Sequence, residues 1–421
     1  MKTLTVLPIL LIILLTSCSI LNKKPIEPKP TIITIDSVET LHGKINDILE
    51  DDLFKSASIG INVISAKTGE ILYTKDSLKL HHPASTTKLF TSATALVKLG
   101  TDFKFETTLY VDKNRETLST NNIYLKGRGD PLLEILDIET LAKGLVKSGV
   151  KSIEGDIIVD ESYFDTVREG PGWMWDDKPF HLSALSIRSI EPENQMESRA
   201  IACGKILRIT LIEKGISIKG KVISGEVPSD AVIVSQHQSP HLGEIIRLMN
   251  KPSDNWIAEF LFKTIGAEVK GVPGTWRKGR EVISGFLEEI LDGSPSHRFV
   301  DGSGLSRYNL VNSLVLSELL LYMHKQFAMM PEFFTSLPIA GVDGTLRNRM
   351  QGMYAEKTLR AKTGTLSGVS ALAGYTVTVE GEVLVFGILI SHYVGSSAAA
   401  RGIQDQIGSV LTGFRRIPNS E

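Results

Sequence analysis

Pro83-Ala84-Ser85-Thr86-Thr87-Lys88-Leu89 sets a serine and a lysine three residues apart at the head of a largely apolar run, 89–99, that stops at Gly100. The run is long enough for a buried helix, and Gly100 stands where a C-cap belongs. Positions i and i+3 of a helix share a face, so Lys88 would hold its amine beside the Ser85 hydroxyl. A serine hydroxyl is a poor nucleophile until a neighbouring base takes its proton. A lysine desolvated at a buried helix start, with its pKa lowered, can be that base. The same spacing recurs at Ser148-Gly149-Val150-Lys151, which reads as a surface turn between a helix and a strand, so context and not spacing must separate the two.

The 421 residues, 42% hydrophobic with formal net charge −2, describe an ordinary globular chain of two to three domains. No basic excess argues for nucleic acid. Met1-Lys2 followed by the unbroken apolar stretch 6–15 is too short for a bilayer span and reads as a signal peptide, 1–18. It ends in Leu15-Thr16-Ser17-Cys18, small residues before a cysteine, which resembles a bacterial lipobox. Cys18 would then be the lipidated first residue of an exported chain anchored to a bacterial membrane and facing the periplasm or cell wall. Residues 19–34 are charged and proline-rich, a tether without core-forming potential. Cys203 is the only other cysteine, so no disulfide framework exists.

The spacing Val38, Leu41, Ile45, Ile48, Leu49 suits an amphipathic helix, and residues 58–64 and 70–73 read as two strands of a hairpin. From 101 to 235 the texture is short β-rich pieces with glycine and proline at the joins, an expected inserted domain. Helical texture returns through Leu242, Ile245, Ile246 and Met249, and again after Ser253-Asp254-Asn255 and near 314–324. A strand-rich finish beginning at residue 358 and a closing helix over 398–414 complete the chain. The expected architecture is an α/β (α+β) domain built from 35–100 and 236–421, with an antiparallel sheet flanked by helices and the β-rich domain inserted after the nucleophile helix.

Three short motifs stand in one order: Ser85-x-x-Lys88, Ser253-Asp254-Asn255 and Lys362-Thr363-Gly364. Each has a decoy, respectively Ser148/Lys151, Ser119-Thr120-Asn121 and Lys67-Thr68-Gly69. Only the first set puts the serine at a buried helix start, the serine–asparagine pair between helices and the Lys-Thr-Gly on a strand. The set resembles that of the serine acyl-transferases that include penicillin-binding proteins and β-lactamases. More narrowly, the chain resembles the class C low-molecular-mass penicillin-binding proteins, the D-alanyl-D-alanine carboxypeptidase/endopeptidase family. The narrower likeness rests on Gly127-Arg128-Gly129-Asp130-Pro131, Asp160-Glu161-Ser162-Tyr163-Phe164, Pro171-Gly172-Trp173, Ser183-Ala184-Leu185, Asp301-Gly302-Ser303-Gly304-Leu305-Ser306-Arg307 and Gly341-Val342-Asp343-Gly344-Thr345.

The resemblance implies a β-lactamase/transpeptidase-like fold and a hydrolase acting on peptidoglycan stem peptides ending in D-Ala-D-Ala, with β-lactams as covalent ligands. Ser85 would attack the carbonyl of the penultimate D-alanine and Lys88 receive its proton. The backbone N–H groups of Ser85 and Thr365 would form the oxyanion hole. Ser253 would relay a proton to the departing amine, with Asn255 bonded to the substrate amide and Lys88. Lys362, catalytic beside the Ser253 relay, would with Thr365 take the terminal carboxylate, and Thr363 and Gly364 would belong to the same substrate-binding strand. Asp160 and Arg307 could meet the charged side chain of a diamino acid or form a plain structural ion pair. A β-lactamase or esterase on the same scaffold, and a non-catalytic wall-binding lipoprotein, are the competing expectations. No cofactor or metal is implied, since no His/Cys/Asp cluster has ligand spacing. His81-His82 tempts a Ser-His pairing, yet adjacent side chains point apart. Two departures stand out. The segment 186–219 is short for the small nested domain the family carries, and Ile187-Arg188-Ser189 occupies the place where asparagines are expected.

Overall fold

A sheet made from both ends of the described chain carries Lys362-Thr363-Gly364 on one of its strands. The computed structural model describes residues 37–177, 180–190, 197–291, 293 and 296–416, so the expected signal peptide, Cys18 and the tether lie outside the described residues. Helix α1 (Val38–Ile48), N-capped by the Ser37 side chain, precedes β1 (Ser58–Ser65), β2 (Ile71–Lys75) and α2 (Thr87–Leu99). Next come β3 (Glu106–Val111), β4 (Ser119–Thr120), β5 (Ile123–Gly127), α3 (Ile135–Lys147), β6 (Ser152–Ile153) and β7 (Ile157–Asp160). They are followed by α4 (Arg199–Glu213), β8 (Ser217–Ile218), β9 (Val222–Ser224) and β10 (Val232–Gln238). Helices α5 (Leu242–Asn250), α6 (Asn255–Lys270), α7 (Trp276–Ile290), α8 (Ser313–Lys325) and α9 (Met330–Ser336) then lead to β11 (Arg360–Leu366), β12 (Val369–Val377), β13 (Val383–Ser391) and α10 (Ser397–Gly413).

The first sheet runs β11-β12-β13-β1-β2, antiparallel throughout, with β11 at one edge. Its strands are apolar on both faces because helices cover both. In β13, Leu384, Phe386, Ile388 and Ile390 pack with Leu41, Ile45, Ile403, Ile407 and Leu411 of α1 and α10, whereas Val385 and Leu389 join Leu316, Leu319 and Leu320 of α8. Each such side chain contributes about 1.5–3 kcal/mol by leaving water. Helix α2 lies deeper still: every residue from Thr87 to Leu96 is buried, enclosed by the helices on that face of the sheet. Its small residues, Ser92, Ala93, Thr94 and Ala95, suit that close surround.

A second sheet, β10-β3-β5-β7-β9, is drawn wholly from 106–238, and a small parallel sheet β4-β6-β8 sits with it. The pairs β5–β7 and β7–β9 are parallel, bridged by α3 and α4 as crossovers. Helix α4 is not among the elements expected from sequence. Cys203, Leu207 and Leu211 enter the core while Ile209 and Ile212 stand exposed, which blurs the amphipathic stripe that announces a surface helix. Among the described residues, 186–219 contains α4 and the two-residue β8 and no further sheet.

Candidate active site

Ser85 sits in a 3-10 turn, Ala84–Thr86, that feeds directly into α2. The turn is held in an uncommon conformation. Ala84 has φ +46°, in the left-handed region that a Cβ disfavours by roughly 1–2 kcal/mol. Thr86 Oγ1 donates to Pro83 O at 2.7 Å and Thr87 Oγ1 to Ala84 O at 2.9 Å, tying both carbonyls down. Two glycines let neighbouring backbone press against this turn. A Cβ on Gly304 would lie 1.8 Å from Ala84 O, and one on Gly364 2.7 Å from Pro83 O. The glycines of Asp301-Gly302-Ser303-Gly304 and Lys362-Thr363-Gly364 therefore have a steric reason, the close approach of loop and strand to the nucleophile turn.

Lys88 is fully buried. Its Nζ lies 3.1 Å from Ser85 Oγ, 2.7 Å from Asn255 Oδ1 and 2.8 Å from Ser303 O. The last two partners are acceptors only, so a neutral amine spends two hydrogens on them and turns its lone pair to the serine O–H. Burial lowers the Lys88 pKa to about 8 against the opposing pull of Glu259, Asp301 and Asp254. The arrangement is that of a base facing a nucleophile.

Ser253, the second serine, has φ +68° in the connection between α5 and α6, and Asp254 Oδ1 caps α6 by accepting from Ile257 N–H at 3.0 Å. Lys362 reaches across from β11: its Nζ donates to Ser253 Oγ at 2.8 Å and to Thr363 O at 2.9 Å. Burial and the charge of Lys88 push the Lys362 amine well below its ordinary pKa. Among the described strands β11 pairs with β12, and on its other edge Arg360 bridges Ile339 and the N–H of Ala361 donates to Pro338 O at 3.0 Å. By the two-residue period of an antiparallel strand, the N–H groups of Thr363 and Thr365 point to that same outer edge. Gly364, between these two residues, packs against Pro83 and Ala84, which brings strand β11 up to the nucleophile turn.

Two buried carboxyls support this cluster, Glu259, which the sequence reading missed, and Asp301, which it quoted only as part of a motif. Glu259 accepts from Gly302 N–H, Ser303 N–H and Trp276 Nε1 at 3.1, 2.8 and 2.7 Å. Asp301 accepts from Gly304 N–H, Ser306 N–H, Asn309 Nδ2 and Trp173 Nε1 at 2.9, 2.6, 2.7 and 3.0 Å. Together they shape the loop whose Ser303 carbonyl holds Lys88. Burial raises both carboxyls, and the charge of Asp301 adds to the rise at Glu259. The available signal was Glu259 lying one helical turn after Asn255, on the same face of α6.

The decoys lie elsewhere. Ser148 ends α3, Ser119-Thr120 forms β4, and Lys67-Thr68-Gly69 is the turn between β1 and β2. Asp160 does not join the three motifs: fully buried at the end of β7, it takes Lys126 Nζ at 2.9 Å, Ser162 N–H and Oγ, and Val227 N–H. Those four donors occupy the carboxylate, and Lys126 closes an ion pair with it. Arg307 comes closer, its Nη1 donating to Ser367 O at 3.1 Å in the turn that follows β11. His81 Nδ1 pairs with Ser391 Oγ, burial drops its pKa to about 4, and His82 Nδ1 faces Asn309 O. Neither imidazole bonds Ser85. Cys203 is buried and unpaired.

Over residues 41–186 and 186–413 the sequence matches the D-Ala-D-Ala carboxypeptidase 3 (S13) family. A D-alanyl-D-alanine carboxypeptidase from Actinomadura sp. (strain R39) is 32% identical over 89% of this chain and 85% of its own length. Among solved structures, penicillin binding protein 4 (dacB) from Haemophilus influenzae superposes with TM-score 0.78 at 24% identity, covering 88% of this chain and 99% of that one. A predatory peptidoglycan endopeptidase from Bdellovibrio bacteriovorus shares the fold at TM-score 0.54 and 20% identity, over 86% and 95% of the two chains.

Proposed function

The chain belongs to the D-Ala-D-Ala carboxypeptidase 3 (S13) family and is a serine-type D-alanyl-D-alanine carboxypeptidase, a penicillin-binding hydrolase of peptidoglycan; from that premise we propose that Ser85 is its nucleophile and Lys88 its base. The observation that carries the assignment is the buried Lys88 amine 3.1 Å from Ser85 Oγ, with acceptors on its other side. The neutral amine takes the Ser85 proton as Oγ attacks the carbonyl of the penultimate D-alanine. The developing oxyanion meets the N–H groups of Ser85 and Thr365. The C–N bond breaks as a proton reaches the departing amine through Ser253, which Lys362 holds by its oxygen. Lys362 and Thr365 bind the terminal carboxylate, with Thr363 and Gly364 setting the strand against it. Water then cleaves the ester, returning Ser85 and the shortened stem peptide. Arg307, at the turn after β11, stands beside this carboxylate end.

Treatment with benzylpenicillin followed by proteolysis and mass spectrometry tests the assignment. The expected adduct, the intact β-lactam mass, lies on the peptide that contains Ser85. An adduct on any other serine overturns the mechanism.

The same reading extends to the ends of the substrate and of the chain. Cross-linked stem peptides present the same D,D-amide with a longer leaving group, and we read the enzyme as an endopeptidase on them as well. The insertion 101–235, with its own sheet, serves as a separate domain beside the catalytic one. Cys18 is the lipidated residue, the tether 19–34 spans from membrane to enzyme, and the enzyme faces the periplasm or cell wall. Cys18→Ala is expected to shift the protein from the membrane fraction to the soluble one. Unchanged fractionation would remove the lipid anchor.

A further inference from the structure

Arg188, the residue standing where the family pattern leads one to expect asparagine, touches the second motif directly. Its Nη1 donates to Asp254 Oδ2, and the side chain is 58% exposed. It also opens onto a cavity of about 940 Å³ that the mechanism above does not use. The wall is apolar along Leu132, Ile135, Leu136 and Leu248, and it includes Arg188, which is bonded to Asp254 of the second motif. The acids of the wall are engaged within the protein. Asp130 Oδ1 accepts from Leu132 N–H, Asp137 Oδ2 accepts from Glu134 N–H in a capping box that also engages the Glu134 side chain, and His237 stands between Asp130 Oδ2 and Asp137 Oδ1 at 3.4 and 3.3 Å. A guanidinium carries five N–H donors in a rigid fork, and the Asp254 contact needs one of them.

Ser253 delivers the proton to the leaving amine, and Arg188 is bonded to the residue next to it, Asp254, so the guanidinium stands near the hydroxyl that meets the leaving amine. For a carboxypeptidase substrate the leaving group is a single D-alanine. For a cross-linked substrate it is a whole second stem peptide, which must lie somewhere. We propose that this cavity is the subsite for the leaving half of a cross-linked stem peptide, and that Arg188 binds a free carboxylate of that half, distinct from the one held at Lys362. The apolar wall takes alanine methyls and the methylene chain of the diamino acid, and the guanidinium fixes the register by a charge-assisted fork. Arg188 is thus a specificity residue that separates endopeptidase from carboxypeptidase substrates. The inference rests on Ser85 and Lys362 acting as assigned above.

Its test is a ratio. The value of kcat/KM is measured on a purified cross-linked muropeptide dimer and on diacetyl-Lys-D-Ala-D-Ala. Arg188→Ala is expected to lower the dimer-to-tripeptide ratio roughly three- to tenfold, the discounted loss of a part-exposed charged contact, and Arg188→Lys to restore part of it. Dimers amidated at the terminal carboxylate or at the isoglutamyl carboxylate of the leaving half identify which group is held. The amide that erases the parent enzyme's preference should change nothing further in Arg188→Ala. An unchanged ratio, with both substrates slowed equally, would reduce Arg188 to a prop for Asp254 and overturn the subsite. Indifference of the parent enzyme to both amidations would do the same. Failure of the parent enzyme on both substrates would instead strike the Ser85 assignment, which the penicillin adduct reads independently.

Discussion

Replacing Lys88 with alanine is expected to slow acylation of Ser85 by benzylpenicillin by about 10²–10⁴-fold, the range in which a positioned general base contributes. Two consequences of the geometry sharpen this. First, a base works in its neutral form, and burial brings the Lys88 pKa down to about 8. Below that value the neutral fraction, and with it the acylation rate, should rise roughly tenfold per pH unit and level off above it. A profile that is flat between pH 6 and 8, or one that falls as pH rises, would assign the base elsewhere. Second, charge and basicity can be separated. Lys88→Arg keeps a cation near Asn255, Ser303, Glu259 and Asp301 but cannot give up its proton. It is expected to stay as slow as Lys88→Ala while resisting thermal unfolding better, because the buried carboxyls keep a positive neighbour. Recovery of acylation in Lys88→Arg would show that the site needs the charge and not the base.

The three motifs were legible because each states a local rule that the fold obeys without help. An apolar run behind Ser85 makes a buried helix, Ser253-Asp254-Asn255 leads into the next helical run, and the strand-rich finish begins just before Lys362. What the chain could not announce is what depends on contacts between distant segments. Glu259 reads as an ordinary helical acid until Gly302 and Ser303 bring their N–H groups to it across 43 and 44 residues. Asp160 has the look of a site residue beside Glu161 and Ser162, yet β5 supplies Lys126 in parallel register and closes the ion pair within the second sheet. Helix α4 escaped because its apolar residues occupy both the core and the open face. The glycines gave only half their meaning in sequence. Gly304 and Gly364 looked like turn and motif residues, and their function is absence: no other residue would let the loop and the strand edge close on Ala84 and Pro83.

Lys362→Ala should weaken use of a peptide with a free terminal carboxylate far more than use of the same peptide amidated at its C-terminus. The lysine is fully buried and bonded to Ser253 Oγ, on the β11 strand that packs against the nucleophile turn at Gly364. Burial and the charge of Lys88 depress its pKa in the empty site, so an arriving carboxylate pulls the amine back toward its charged form. The pair that results is desolvated and charge-assisted, and its loss costs roughly 1.5–3 kcal/mol, about ten- to a hundredfold. A carboxylate contact exists in the ground state as well as in the transition state, so much of the loss should appear in KM. The amidated peptide never had that contact and keeps only what Lys362 does for Ser253. Its activity should therefore fall by less, and the free acid's advantage over the amide should shrink in the variant. If acid and amide fall by the same factor, with kcat alone affected, Lys362 serves proton transfer through Ser253, and the carboxylate is held by Thr365 without it.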